Sequence, residues 1–223
     1  MKKIRWSVHT LLVVLAFGPA LLGADLSTYR GFQFGMSLSA AVKRSGMDGS
    51  EATTVIKRPA LIQELNWRPS RYSGTSGEKD PVDQVEFRFL DAQLFRIVVD
   101  YDSQKVAGLT ADDLIDGIAA QYGVAVRPGG TILLTSQFSD EATHVLARWE
   151  DADYSFNLVQ RPYSTSLKLV MLSKVVSARA GAAISEGIRL DKEEAPALLK
   201  LEEEKAKTEL DRNRLVNKAR FRP

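Results

Sequence analysis

The sequence predicts an α+β fold: two tandem units, each a helix followed by four strands, forming antiparallel sheet with the helices on one face, and then a charged helical tail. Two observations carry this. The order "glycine, apolar residue, hydroxyl residue, helical pattern, four strand-like runs" occurs at Gly35-Met36-Ser37 and again at Gly108-Leu109-Thr110. In both copies the second strand closes on a tryptophan, Trp67 and then Trp149. The expected division is a leader at 1–24, units at 25–104 and 105–176, and a tail at 177–223. Identity between the copies is low, so the duplication rests on pattern and on the tryptophans.

The leader reads as a secretory signal. Met1-Lys2-Lys3-Ile4-Arg5 is basic, the run from Leu11 to Leu22 is apolar apart from Gly18-Pro19, and small residues follow at Gly23-Ala24. Ser7, His9 and Thr10 interrupt the early part, whereas a spanning helix needs ~20 apolar residues. Cleavage after Ala24 is therefore expected, leaving no stable membrane span.

In the first unit the helical pattern covers Ser37 to Ser45. Ser37 suits the N-cap because its hydroxyl can accept from an unpaired amide of the first turn, and Gly46 suits the stop. Strands are expected at Thr53 to Arg58, Leu61 to Trp67, Val82 to Leu90 and Leu94 to Tyr101. Val85, Phe87 and Phe89 alternate with Gln84, Glu86 and Arg88, the period-two signature of a sheet with one buried face. A tight connection at Asp91-Ala92 makes the last two strands a hairpin.

In the second unit Thr110 caps a helix from Ala111 to Tyr122, on which Leu114, Ile115, Ile118 and Ala119 recur at helical spacing. Acidic residues crowd its first turns and Gly123 ends it. Strands are expected at Thr131 to Gln137, His144 to Trp149, Tyr154 to Gln160 and Leu167 to Ser173. The tail runs through an Ala/Gly stretch into a segment dense in Glu, Lys and Arg, with Pro196 near a helix start. Leu198, Leu201, Leu210 and Leu215 do not hold a heptad, so a coiled coil is not expected.

The two opening motifs, Gly35-Met36-Ser37 with Ala41-Val42 and Gly108-Leu109-Thr110 with Leu114-Ile115, resemble those of small bacterial envelope domains. These are the outer-membrane assembly small lipoproteins and the beta-lactamase inhibitor protein family. The second resemblance implies a tandem helix-and-four-strand repeat making one curved sheet that grips a partner enzyme. It covers about Tyr29 to Lys174. The chain has no cysteine, so the lipid anchor of the first family and the disulfides of the second are not carried over.

Composition narrows the chemistry. The chain has 223 residues, 44% hydrophobic and 26% charged, with a formal net charge of +2, an ordinary globular make-up. Loss of Lys2, Lys3 and Arg5 with the leader leaves 27 basic against 28 acidic residues, which removes any electrostatic footprint for nucleic acid. Absence of cysteine excludes disulfides, thiolate nucleophiles and zinc-thiolate sites. No cofactor motif is present and no metal is expected. The acidic groups Asp100/Asp102, Asp112/Asp113/Asp116 and Glu150/Asp151/Asp153 fit a strand end, a helix N-terminal turn and a hairpin turn rather than a calcium loop. His144 is the one histidine after the leader. It has no second histidine for a metal site, and the sequence spells out no nucleophile elbow.

No catalytic residue is expected. The expected role is a non-catalytic periplasmic or secreted protein-binding or adaptor module of the bacterial envelope, with a protein partner. A structural protein self-assembling through its C-terminal helix is the alternative, and a hydrolase using His144 comes behind it. Partner contacts are expected at Arg68, Arg71 and Tyr72, on the charged loop from Arg68 to Pro81, where arginine and tyrosine suit recognition. Others are expected at Leu146, Val159, Val170 and Leu172. These make the second unit's outer face too apolar to be fully solvated, so either the tail helix or a partner should cover it. In the first unit that face is polar, with Glu64, Asn66, Gln84, Glu86, Arg88 and Arg96. The tryptophans are expected in the core.

Overall fold

The computed structural model describes residues 25–69, 80–128, 133–136, 139–160 and 166–222, with only the backbone described at 133–136 and 139–143. The expected leader, Arg71 and Tyr72 lie outside the described residues.

The chain is a mixed α+β protein. A two-residue hairpin pairs β1 (Thr28–Tyr29) with β2 (Phe32–Gln33), turning through Arg30 and Gly31 at φ of 49° and 79°. Helix α1 (Leu38–Ser45) follows, and a single 3-10 turn at Gly49–Glu51 leads to β3 (Thr53–Ile56), β4 (Ile62–Trp67), β5 (Val82–Leu90) and β6 (Gln93–Tyr101). Helix α2 (Ala111–Tyr122) precedes β7 (Leu133–Ser136), β8 (Ser139–Glu150), β9 (Tyr154–Gln160) and β10 (Leu167–Ser173), and α3 (Lys174–Arg220) completes the order.

The capping residues act as their chemistry predicts. Ser37 accepts from the Ala40 amide and Gly46 closes α1 in the left-handed region at φ 73°. Thr110 and Asp113 form a reciprocal capping box at α2.

Strands β3 to β10 form one antiparallel sheet in the order β3-β4-β5-β6-β10-β9-β8-β7. The four strands after α1 and the four after α2 therefore meet along their last members, β6 and β10. One rung of the ladder runs Trp67, Val85, Val99, Leu169, Leu158, Ala147, and the next runs Leu65, Phe87, Ile97, Met171, Phe156, Trp149. The tryptophans thus stand at diagonally opposite ends of two adjacent rungs. On this face lie α1, α2 and the β1–β2 hairpin, contributing Phe32, Phe34, Ala41, Leu114, Ile115 and Tyr122 to the main core.

Both tryptophans serve the core but differ in their polar handle. Trp149 is buried and its indole donates to the Gly123 carbonyl at 2.7 Å. Trp67 is half-buried against Phe32 and Phe87, and its buried Nε1 finds no acceptor among the described residues.

The β5–β6 hairpin turns through Asp91 and Ala92, both in the left-handed region at φ 47° and 64°. Two-residue hairpins need this geometry because it matches strand twist, yet a Cβ there costs energy. Asp91 recovers part of that cost, since its carboxylate accepts from the Leu61 amide at 3.0 Å. Ala92 has only its backbone to offer, through the carbonyl that accepts from Leu38. Ala92→Gly is therefore expected to raise stability by about 0.5–1 kcal/mol, read as a higher thermal midpoint. A lower midpoint would show that the methyl packs favourably enough to outweigh the strain.

The β1–β2 hairpin is clamped to the start of β5 by Arg30, whose guanidinium donates to both carboxylate oxygens of Asp80 at 2.6 and 2.9 Å. Partial burial pushes the Asp80 carboxyl up, but the Arg30 hydrogen bonds, the Val82 amide and the Arg30 and Lys105 charges outweigh it and leave it below the ordinary carboxylate range. The ionised form is thus favoured by folding. Its stabilisation is complete above the unfolded value near about 4 and is lost as pH falls through the lower folded value. The stability gap between the native chain and Asp80→Asn is expected to be widest near neutral pH and to close in acid, as followed by denaturant titration at a series of pH values.

Helix α3 departs most from expectation. Instead of starting near Pro196 it begins directly after β10 and runs 47 residues. Pro196 lies inside it, where the missing N–H forgoes the bond to the Lys192 carbonyl. Its first turns bury Ala180 and Ile184, with Val176 beside them, against Ile62, Leu90 and Phe95, on the sheet face opposite α1 and α2. Gly187 lets the helix cross the β3–β4 connection, since a Cβ there would stand 2.8 Å from the Arg58 carbonyl. Arg58 then ties to Asp191 and Glu194 at 2.7 and 2.8 Å. From Asp191 to Arg222 every residue is exposed. Among the described residues no helix is long and apolar enough to cross a membrane.

Candidate recognition surface

The face of the sheet turned away from α1 and α2 carries three rungs of outward side chains. The first reads Gln84, Asp100, Lys168, Val159, Val145. The second reads Asn66, Glu86, Val98, Val170, Asn157, Arg148, and the third Glu64, Arg88, Arg96, Leu172, Ser155, Glu150. The polar half lies over β4, β5 and β6, and the apolar patch lies toward β10, β9 and β8.

The polar half is a continuous network. Arg68 donates to the Gln84 side-chain oxygen at 2.9 and 3.2 Å, Gln84 donates to Asn66 at 2.9 Å, and Asn66 donates to Glu64 at 2.7 Å. Glu64 meets Arg88 at 3.0 Å. One oxygen of Glu86 serves both arginines, at 2.6 Å to Arg88 and 3.3 Å to Arg96. Arg88 and Arg96 face each other in the register, so Glu86 neutralises a like-charge pair that would otherwise repel. Burial, the largest influence, pulls the Arg96 guanidinium down to about 10 despite the Glu86 and Glu64 carboxylates, and it stays charged at neutral pH. Across the join Lys168 pairs with Asp100 at 2.6 Å.

Arg68 donates into the polar network at Gln84. Val159 and Val170 come together, as expected for one face, but they are 1% and 5% exposed and form a closed cluster with Val98 and Val145. They offer a partner little surface. Leu146 and Leu172 are half-buried. The tail helix does not pack on this cluster, because its buried residues meet Ile62, Leu90 and Phe95 instead. Strict alternation with Ala147 and Trp149 predicts an inward Val145, but the register shift between Val145 and Ala147 turns it to the outer face beside Val159. Val98, which interrupts the polar positions Arg96 and Asp100 in phase, could have signalled the patch. The polar neighbour Asn157 is buried with them, donating to Ser155 at 3.0 Å and accepting from Arg148 at 2.8 Å.

His144 is half-buried in β8, in register with Leu133 and Gln160. The acidic groups have structural partners: Asp113 caps α2, Asp112 pairs with Arg127, and Asp151 accepts from the Asp153 and Tyr154 amides. Among the described residues no three His, Asp or Glu side chains converge as metal ligands would. An open cleft of about 410 Å³ lies between β3 and α3, lined by Thr54, Ile56, Lys57, Arg58, Ile188 and Asp191 among others. These side chains supply neither an imidazole nor a carboxylate pair. The surface can therefore hold and orient through hydrogen bonds and charge, and the described geometry aligns no nucleophile with a base.

No protein-family model, curated protein or solved structure matches the chain.

Proposed function

We propose that the chain is a non-catalytic protein-binding or adaptor module of the bacterial envelope, periplasmic or secreted, that presents helix α3 to a protein partner. The observation that carries this reading is the full exposure of residues 191–222 on a helix whose first turns are built into the sheet. A helix segment exposed at every position gains little from the rest of the protein beyond the Arg58 ion pairs, and an anchored, outward-held helix is the form in which recognition by a partner would make use of it. The polar network offers a second, rigid contact surface on the same side of the sheet through its more exposed members Arg68, Asn66 and Gln84, held in place by the largely buried Arg88 and Arg96 pairs.

The two helix-and-four-strand series are proposed to be duplicated units. Support comes from the ladder, in which Trp67 and Trp149, Leu65 and Ala147, and Glu86 and Asn157 occupy positions related by exchanging the two halves of the sheet. Self-assembly through the C-terminal helix is a second reading, favoured by the uneven charge along α3.

The test is affinity capture from an envelope extract, using the chain after Ala24 with and without residues 191–223, followed by reconstitution with the captured protein once purified. Binding that weakens at least tenfold on truncation supports the reading. Retention of no protein, or retention indifferent to both the helix and substitutions in the polar network, removes it.

A further inference from the structure

We infer that the exposed part of α3 pairs antiparallel with α3 of a second copy of this chain. The inference rests on the proposed reading of the helix as a docking element and names its partner. The observation behind it is charge segregation. Between 191 and 204 the acidic residues are Asp191, Glu193, Glu194, Glu202, Glu203 and Glu204, against Lys192 and Lys200. Between 205 and 222 the basic residues are Lys205, Lys207, Arg212, Arg214, Lys218, Arg220 and Arg222, against Glu209 and Asp211.

The acidic half is partly committed, since Arg58 engages Asp191 and Glu194 and Arg189 engages Glu193. Glu202, Glu203 and Glu204 are exposed, as are the five cations from Arg212 onward, and among the described residues none of them is ion-paired to the body of the protein. Two copies laid antiparallel bring each acidic half beside the other's basic half, twice over. A parallel pair would put Glu202 to Glu204 of both copies together and their cations together, which costs energy. Antiparallel packing also opposes the helix dipoles favourably.

Exposed Leu198, Leu199, Leu201, Leu210, Leu215 and Val216 supply apolar area to bury on pairing. They are spread around the helix, so no single stripe dictates the orientation and charge decides it. The free segment of about 30 residues is about 45 Å long at 1.5 Å per residue, which places the two sheets at opposite ends of the pair and keeps them from colliding. Surface ion pairs are individually weak, so the dimer is concentration-dependent and dissociates as salt rises.

The experiment uses the full chain after Ala24. Sedimentation equilibrium should show a mass rising toward twice the monomer with concentration and falling back in high salt. A variant with Glu202→Lys, Glu203→Lys and Glu204→Lys, and another with Arg212→Glu, Arg214→Glu and Lys218→Glu, should each associate at least tenfold more weakly. Mixed in equal amounts, they should form a heterodimer. Because the chain has no cysteine, Glu202→Cys mixed with Arg214→Cys should crosslink as a heterodimer in preference to either homodimer, while far-UV circular dichroism checks that the helix persists in every variant. Monomeric mass at all concentrations, a dimer indifferent to the charge reversals, or preferential homodimer crosslinks would each overturn the inference. A helix that captures a foreign partner while the chain stays monomeric sinks this pairing and spares the adaptor reading.

Discussion

Replacing Phe156 with alanine is expected to cost about 3–5 kcal/mol, the range for truncating a large aromatic in a packed core. Phe156 is fully buried near the middle of the sheet, flanked in register by Met171 and Trp149. Tyr122 of α2 meets it edge-on at 4.9 Å and Phe34 at 6.4 Å. The side chain therefore joins the β1–β2 hairpin region, α2 and two strands, and no single neighbour can move in without leaving another. Domains of this kind hold only about 5–15 kcal/mol in total, so the variant stands near the limit of folding. Urea titration would show the midpoint falling with the slope unchanged. A loss below about 1 kcal/mol would mean the cavity collapses freely, contradicting close packing of α2 on the sheet.

The second large effect is expected at Glu86. Its Oε1 is shared by Arg88 and Arg96, and the arginine side chains are only 10% and 13% exposed. Glu86→Gln removes one of the two carboxylates, the other being Glu64, that balance two facing guanidiniums in a poorly solvated rung, and so leaves the group with a net positive charge. Removing one partner of a buried pair leaves uncompensated charge and costs about 3 kcal/mol or more. A solvated pair would lose less than about 1 kcal/mol. Replacing Glu64, Glu86, Arg88 and Arg96 together by apolar residues of similar volume should recover most of the loss, because the desolvation penalty disappears with the charges. If Glu86→Gln proves neutral by denaturant titration, water reaches this face and the network is looser than its distances indicate.

These two sites show how unevenly the sequence discloses the fold. Val85, Phe87 and Phe89 alternating with Gln84, Glu86 and Arg88 announce strand and face together, because a strand's period of two is local. Ser37, Gly46, Thr110 and Gly123 announce helix ends for the same reason: each acts on backbone groups within one turn. Helix α3 was only partly legible. Val176, Ala180 and Ile184 mark a short buried stripe, but the Ala/Gly stretch and Pro196 speak for interruption, and only packing against Ile62, Leu90 and Phe95 reveals why the helix starts at Lys174. The valine cluster was legible as apolar and illegible as closed, since Val98 comes from β6 and Val145 from β8, far apart in the chain.

By itself, then, the amino-acid order determined the element types, their caps, the apolar faces of most strands and the charge gradient along α3, all of which depend on neighbours within a few residues. The tertiary structure alone decided that β6 pairs with β10, that Glu86 bridges two arginines, and that α3 seats its first turns on the face opposite α1 and α2. These are encounters between residues distant in the chain. Their free energies come from burial and charge compensation across the assembled sheet, which no short window of sequence contains.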